Sequence, residues 1–261
     1  MKTIKGSIYD WPKYYEFVYG SDWQAETEFL QGCFNRFVDG PVYRLFEPAC
    51  GTGRLVFRLA QAGFSVSGID LNPKAIAFCN ERLERHELPP SCFVADICDF
   101  KLDSRQDAAF NTINSFRHLE SESAALRHLN CMADAVRPGG IYVLGLHLLP
   151  TESEPDEEEA WSHRRGHLQV NTRMWLVDRD EEMRYETHAF VFDVYTPTRQ
   201  FRIRDQFRFR TYTLPQFLEL LEQVPAWQVA AVHDFAYDLD SPVPLDSETQ
   251  DAVFILQRAA A

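Results

Sequence analysis

The sequence predicts a doubly wound α/β fold carrying an added antiparallel β-meander lobe, and three observations lead there. Over 42–150, short apolar runs alternate with helix-period segments, the rhythm of a parallel sheet with crossover helices. Glycine and proline punctuate that rhythm where one element gives way to the next. Past 150 the pattern becomes a succession of strand-like segments joined by short polar turns, as in an antiparallel meander.

Core strands are expected at 43–49, 65–70, 92–97, 108–113 and 141–148. Gly63 suits the left-handed residue that closes a helix starting near Arg54, and Asn72-Pro73 offers an N-cap followed by proline at the first helical position. Pro138-Gly139-Gly140 is expected to end a helix over 121–136 and to turn tightly into the next strand. Ahead of the core, Phe29, Leu30, Cys33, Phe34 and Phe37 recur at helical spacing, so a helix over 23–38 packs on the sheet or covers its edge. Behind it, Glu152, Glu154, Asp156, Glu157, Glu158 and Glu159 read as a solvated loop. The meander follows, then a helix over 214–223 and closing strands at 226–235 and 251–259. Four segments result: an N-terminal helical and aromatic segment (1–41), an α/β core (42–150), an antiparallel insertion (151–213) and a closing helix with two strands (214–261).

At 261 residues and 45% hydrophobic, the chain has enough apolar material for a large core. Its 26 Lys and Arg against 39 Asp and Glu leave a net charge of −13, which disfavours nucleic acid and anionic membranes and favours small solutes. With no signal-like start and no apolar run of membrane-spanning length, a cytoplasmic location is expected. Six scattered cysteines read as reduced, mostly buried thiols. No His or Cys spacing points to a metal; His163 and His167 read as incidental.

The chemistry concentrates in Glu47-Pro48-Ala49-Cys50-Gly51-Thr52-Gly53-Arg54, between a strand and a helix. Two glycines permit a sharp turn and close approach of a ligand, toward which the helix start presents its N–H groups. Asp70, 17 residues past Gly53, closes the neighbouring strand, where a carboxylate can accept both hydroxyls of an adenosine ribose. Val56 occupies the place of a third glycine and no Gly-Lys-Ser/Thr follows, which argues against a nicotinamide site and a P-loop. A nucleoside cofactor is implied.

Residues 42–150 resemble the class I S-adenosylmethionine-dependent methyltransferases, of the small-molecule type with an antiparallel β insertion. Four motifs carry the resemblance in order: Glu47 to Gly53, Asp70, Asp96-Ile97, and Pro138 to Gly140. Ala49 stands where many relatives have glycine, and suffices there if its φ is negative. The resemblance implies S-adenosylmethionine as cofactor and S-adenosylhomocysteine as product. Expected cofactor contacts are Glu47, Ala49, Gly51, Gly53, Arg54, Asp70, Leu71, Asp96, Ile97 and Asn114, with Tyr9 and Tyr19 in an N-terminal lid. The aromatic cluster holding those tyrosines equally fits packing of the first helix onto the sheet. Asn114 equally fits capping of its own loop.

Methyl transfer needs a lone pair aligned behind an activated methyl group, so much of the acceleration can come from positioning. His118 and His147 are the candidate catalytic residues, and each also fits a plain structural role at a strand end. The fourth-strand segment lacks the Asn/Asp-Pro-Pro-aromatic motif of base N-methyltransferases. In the meander, alternation puts Phe201, Ile203, Phe207 and Phe209 on one face and Arg202, Arg204, Arg208 and Arg210 on the other. Those arginines fit either an anionic group on the acceptor or a solvated face paired with Glu182 or Glu186.

The expectation is a seven-stranded sheet, six strands parallel and the last antiparallel, with helices on both faces and the meander walling the acceptor site or forming a homodimer interface. The expected activity is methylation of a nitrogen or oxygen of a small metabolite, such as a sugar or amine, with no nucleic acid or membrane partner. The alternatives are a noncatalytic S-adenosylmethionine-binding scaffold and a protein or RNA methyltransferase.

Overall fold

The computed structural model describes residues 1–21, 23–151 and 158–259. The chain opens on strand β1 (Lys2–Lys5), a 3-10 turn (Ile8–Asp10) and helices α1 (Pro12–Tyr19) and α2 (Gln24–Phe37). The core follows as β2 (Arg44–Pro48), α3 (Arg54–Gln61), β3 (Ser65–Asp70), α4 (Pro73–Arg85), β4 (Cys92–Val94), β5 (Gln106–Asn111), a 3-10 turn (Ser115–His118), α5 (Glu122–Ala135) and β6 (Val136–His147). Then come β7 (Glu158–Arg165), β8 (Leu168–Asp180), β9 (Tyr185–Tyr195), β10 (Gln200–Arg210), α6 (Leu214–Glu222), β11 (Trp227–His233) and β12 (Asp251–Arg258).

The main sheet has the order β11-β12-β6-β5-β2-β3-β4. Every neighbouring pair from β4 to β6 is parallel, and β12 runs antiparallel to both β6 and β11. Six strands therefore share one direction and the last in sequence opposes them. Period-two alternation divides the sheet's residues between two cores. Leu45, Ala108, Phe110 and Val143 face α2, α3 and α4, whereas Phe46, Ala109, Tyr142 and Leu144 face α5 and α6. Local signals set the helix starts: the Asn72 side chain accepts from the Lys74 and Ala75 amides ahead of α4, and Ser121 accepts from Ala124 at the start of α5.

The second sheet has the order β1-β10-β9-β8-β7. Its strand β1, absent from the sequence-based expectation, adds in parallel beside β10. The inner face packs Val170, Phe190, Phe192, Val194, Phe201 and Ile203 against Ile8, Val18 and the aromatic residues of the N-terminal segment. The cluster Tyr9, Trp11, Tyr14, Tyr15 and Tyr19 thus docks α1 on the insertion and not on the parallel sheet.

Several boundaries depart from expectation. Only Cys92–Val94 of 92–97 is strand, because Asp96 turns back to bridge Asp99. Pro138-Gly139-Gly140 lies inside β6 and not in a loop: α5 stops at Ala135, and the register with β5 shifts between Gln106 and Ala108. A Cβ on Gly140 would come within 2.5 Å of the Asp107 carbonyl oxygen, so the glycine is required by the neighbouring strand's backbone. Residues 152–157 of the expected acidic loop lie outside the described residues, while Glu158 and Glu159 begin β7. All six cysteines are free thiols, five of them buried. Among the described residues no helix is long and apolar enough to cross a membrane.

Candidate active site

The carboxyl ends of β2, β3 and β5 open into a cavity of about 760 Å³, roofed by the N-terminal segment and the inner face of the insertion sheet. The loop after β2 forms its floor. Ala49, Gly51 and Gly53 all have positive φ, at +53°, +53° and +67°. The condition under which alanine would suffice here, a negative φ, is not met: Ala49 is held left-handed, at a cost of about 1 kcal/mol. Gly53 also departs from expectation, since it does not line the cavity; a Cβ there would meet Cys79 Sγ at 2.1 Å. It is needed for packing against α4, whereas Gly51 faces the cavity beside Asp70.

Asp70 organises the crevice. Its Oδ2 accepts from the Gly51 amide and its Oδ1 from the Asn72 amide, both at 2.8 Å. Burial raises its pKa, against the pull of those two bonds. Glu47, 8% exposed, receives a bond from the Val56 amide, yet its Oε2 is buried without a hydrogen-bond partner. Burial pushes this carboxyl well above the usual range although the Arg54 charge opposes the shift. Arg54 itself is bound to Glu26 of α2. Asp96 turns its Oδ1 onto the Cys98 amide at 2.8 Å, leaving Ile97 on the cavity wall.

Across the cavity, Tyr9 Oη lies 2.9 Å from His118 Nε2. Burial, aided by the nearby Arg117 charge, lowers the His118 pKa to about 4, so its ring is neutral near pH 7. Burial also raises Tyr9, Tyr15 and Tyr19, keeping their hydroxyls protonated. His147 reaches Asp251 through Nδ1 at 2.7 Å, and its amide donates to Asn114 Oδ1 at 2.8 Å. Asn114 therefore clamps the end of β5 to β6.

Every predicted site residue except Gly53 borders this cavity. Sequence reasoning missed Glu16, which accepts from Thr52 Oγ1 at 2.7 Å and from Arg82, pinning α1 to the loop. It also missed Glu159, Trp161, Met174 and Phe190, which wall the far side, because that wall comes from long-range strand pairing. Arg202, Arg204, Arg208 and Arg210 do not line the cavity; Arg202 binds Asp193, while Arg208 and Arg210 lie over the Tyr185 ring. Glu186, expected as a partner of that stripe, is instead the buried partner of Arg117 and Arg179.

A family model described as a methyltransferase domain matches residues 46–140, the strands and loops that build this floor. The chain carries a methyltransferase domain. YqeM of Bacillus subtilis (strain 168), whose name assigns it provisionally to the methyltransferases, is 23% identical over 190 residues, 69% of this chain and 71% of its own. A crystal structure of an S-adenosylmethionine-dependent methyltransferase from Clostridium acetobutylicum ATCC 824 superposes with a TM-score of 0.78, at 13% identity, over 95% of this chain and 97% of that one. The sugar N-methyltransferase KedS8 from Streptoalloteichus sp ATCC 53650 does so at 0.73, with 18% identity, over 97% and 94%. Both superpositions take in the insertion as well as the methyltransferase domain, so the whole chain has the class I methyltransferase fold.

Proposed function

We propose that the chain transfers a methyl group from S-adenosylmethionine to a nitrogen or oxygen of a small metabolite, in the cytoplasm. The observation that carries this reading is the buried, unpartnered Glu47 Oε2 in the same cavity as Asp70, with an aromatic chamber beside them. S-adenosylmethionine supplies an activated methyl group on a sulfonium and carries the ammonium and ribose hydroxyls that these two acids lack as partners. Glu47 takes the ammonium, which returns its carboxyl to the charged form. Asp70 keeps lone pairs for ribose hydroxyls after accepting two amide bonds. Leu71 and Ile97 flank the base, and Tyr9 and Tyr19 close over the site.

The acceptor's lone pair forms the new bond to the methyl carbon as the sulfur–carbon bond breaks, leaving a neutral thioether, and an acceptor proton passes to solvent. The neutral His118 ring, fixed by Tyr9, positions the acceptor more than it removes a proton. The acidic lining argues against an RNA acceptor. The sugar N-methyltransferase superposition supports a small acceptor.

A coupled assay for S-adenosylhomocysteine release across a panel of small amines and hydroxyls tests the reading. Turnover that disappears with Asp70→Ala is expected. Release equal in wild type and Asp70→Ala would refute it.

A further inference from the structure

The composition of the chamber beyond the glycine loop restricts what its acceptor can be. Strand alternation turns Glu159, Trp161, Met174, Phe190, Phe207 and Phe209 toward the cavity. With Tyr9, Tyr15 and Tyr19 opposite, the walls are largely aromatic. Among the described residues, Arg54 is the sole Lys or Arg on the lining, and its guanidinium is bound to Glu26. Acids border the same space: Asp10, Glu16, Glu47, Asp70, Asp96 and Glu159. The insertion's arginines at 202, 204, 208 and 210 are absent from that lining, and residues 152–157 contain no Lys or Arg.

A phosphate entering such a space loses water and meets no cation other than Arg54, whose guanidinium is already paired with Glu26. An ammonium meets ring faces that attract cations and a carboxylate at the chamber's edge. Glu159, exposed on β7 two residues before Trp161, is the acid on the insertion's side, remote in sequence from the loop acids that serve the cofactor. We infer that the acceptor is an amine on an apolar or aromatic scaffold without a phosphate, and that Glu159 selects its ammonium form on entry. This rests on the methyl-transfer reading and narrows it from any nitrogen or oxygen to one class. The ammonium then gives its proton to solvent before its lone pair attacks.

The test uses the full chain saturated with S-adenosylhomocysteine and two matched pairs of probes, pyridoxamine against pyridoxamine 5′-phosphate and phenethylamine against 2-phenylethanol, read by calorimetry. The free amines are expected to bind about 10-fold tighter than the phosphorylated or neutral member. Glu159→Gln is expected to weaken phenethylamine about 5-fold and leave 2-phenylethanol within about 2-fold. The phosphate binding as tightly as its parent amine, no probe binding at millimolar concentration, or an amine preference untouched by Glu159→Gln would each overturn the inference. Failure of S-adenosylhomocysteine itself to bind would instead strike the methyl-transfer reading, which separates the two.

Discussion

Glu26 of α2 and Arg54 at the start of α3 form an ion pair whose side chains are 3% and 14% exposed. Thr112 Oγ1 donates to the same carboxylate at 2.7 Å, and Tyr237 Oη lies 3.3 Å from it. One buried acid thus ties the N-terminal helix, the glycine loop, the end of β5 and the segment before β12. Glu26→Leu strands a buried guanidinium and is expected to cost about 3–5 kcal/mol. Urea unfolding of the two proteins measures it; a loss below about 1 kcal/mol would show that the pair does not hold the loop.

The loop's backbone makes a second prediction. Ala49→Gly relieves left-handed strain while adding freedom to the unfolded chain, for a net gain of about 0.5–1 kcal/mol. Gly53→Ala drives a methyl into Cys79 and is expected to cost about 1–3 kcal/mol. Adding Cys79→Ala should recover part of that loss, which a double-mutant cycle of thermal midpoints reads directly.

Acid should destabilise the fold in two windows. Burial lowers His118 and His128 to about 4, from 6.5 in the unfolded chain. Between those values the unfolded chain binds more protons, so their contribution is complete above pH 6.5 and falls toward pH 4. The slope is at most about 1.4 kcal/mol per pH unit for each histidine. Glu186 resists burial through bonds from His188 and Arg117 and sits at about 2 against 4.5. Its stabilisation is present above pH 4.5 and is lost as pH falls toward 2. Urea titrations from pH 7.5 to 3 check both, and His118→Asn should remove about half of the upper window's slope, the rest belonging to His128, and leave the lower window unchanged.

His118 is expected to act through position. Its ring is already neutral well below pH 7, so the pH profile of kcat/KM should show no His118 inflection above pH 5. His118→Asn is expected to lower kcat about 10-fold, well short of the 10³ that loss of an obligate base would give. A steady-state profile of both proteins decides between them.

Much of the parallel core was readable because its signals are local: Asn72-Pro73 caps α4, and the alternation through Leu45 and Phe46 divides the two cores. The floor of the site was readable for the same reason, since Glu47, Gly51 and Asp70 lie at strand ends that local patterns mark. The acceptor wall was not. Trp161, Met174 and Phe190 meet only through pairing across β7, β8 and β9, and no local pattern reports register. β1 went unseen because four mostly exposed residues gain strand geometry solely from β10. Gly53 misled because sequence names a residue that can turn but not what lies opposite its Cβ, and Ala49 carries no local sign of its left-handed φ.

Calorimetric titration of S-adenosylhomocysteine into the wild-type chain and into Asp70→Ala bears most directly on whether this crevice holds a nucleoside sulfur compound. Saturable binding at one site per chain is expected, weakened in the variant by about 1.5–3 kcal/mol as the charge-assisted bonds to the ribose disappear. No heat from the wild-type protein, or identical affinities in the two, would contradict it.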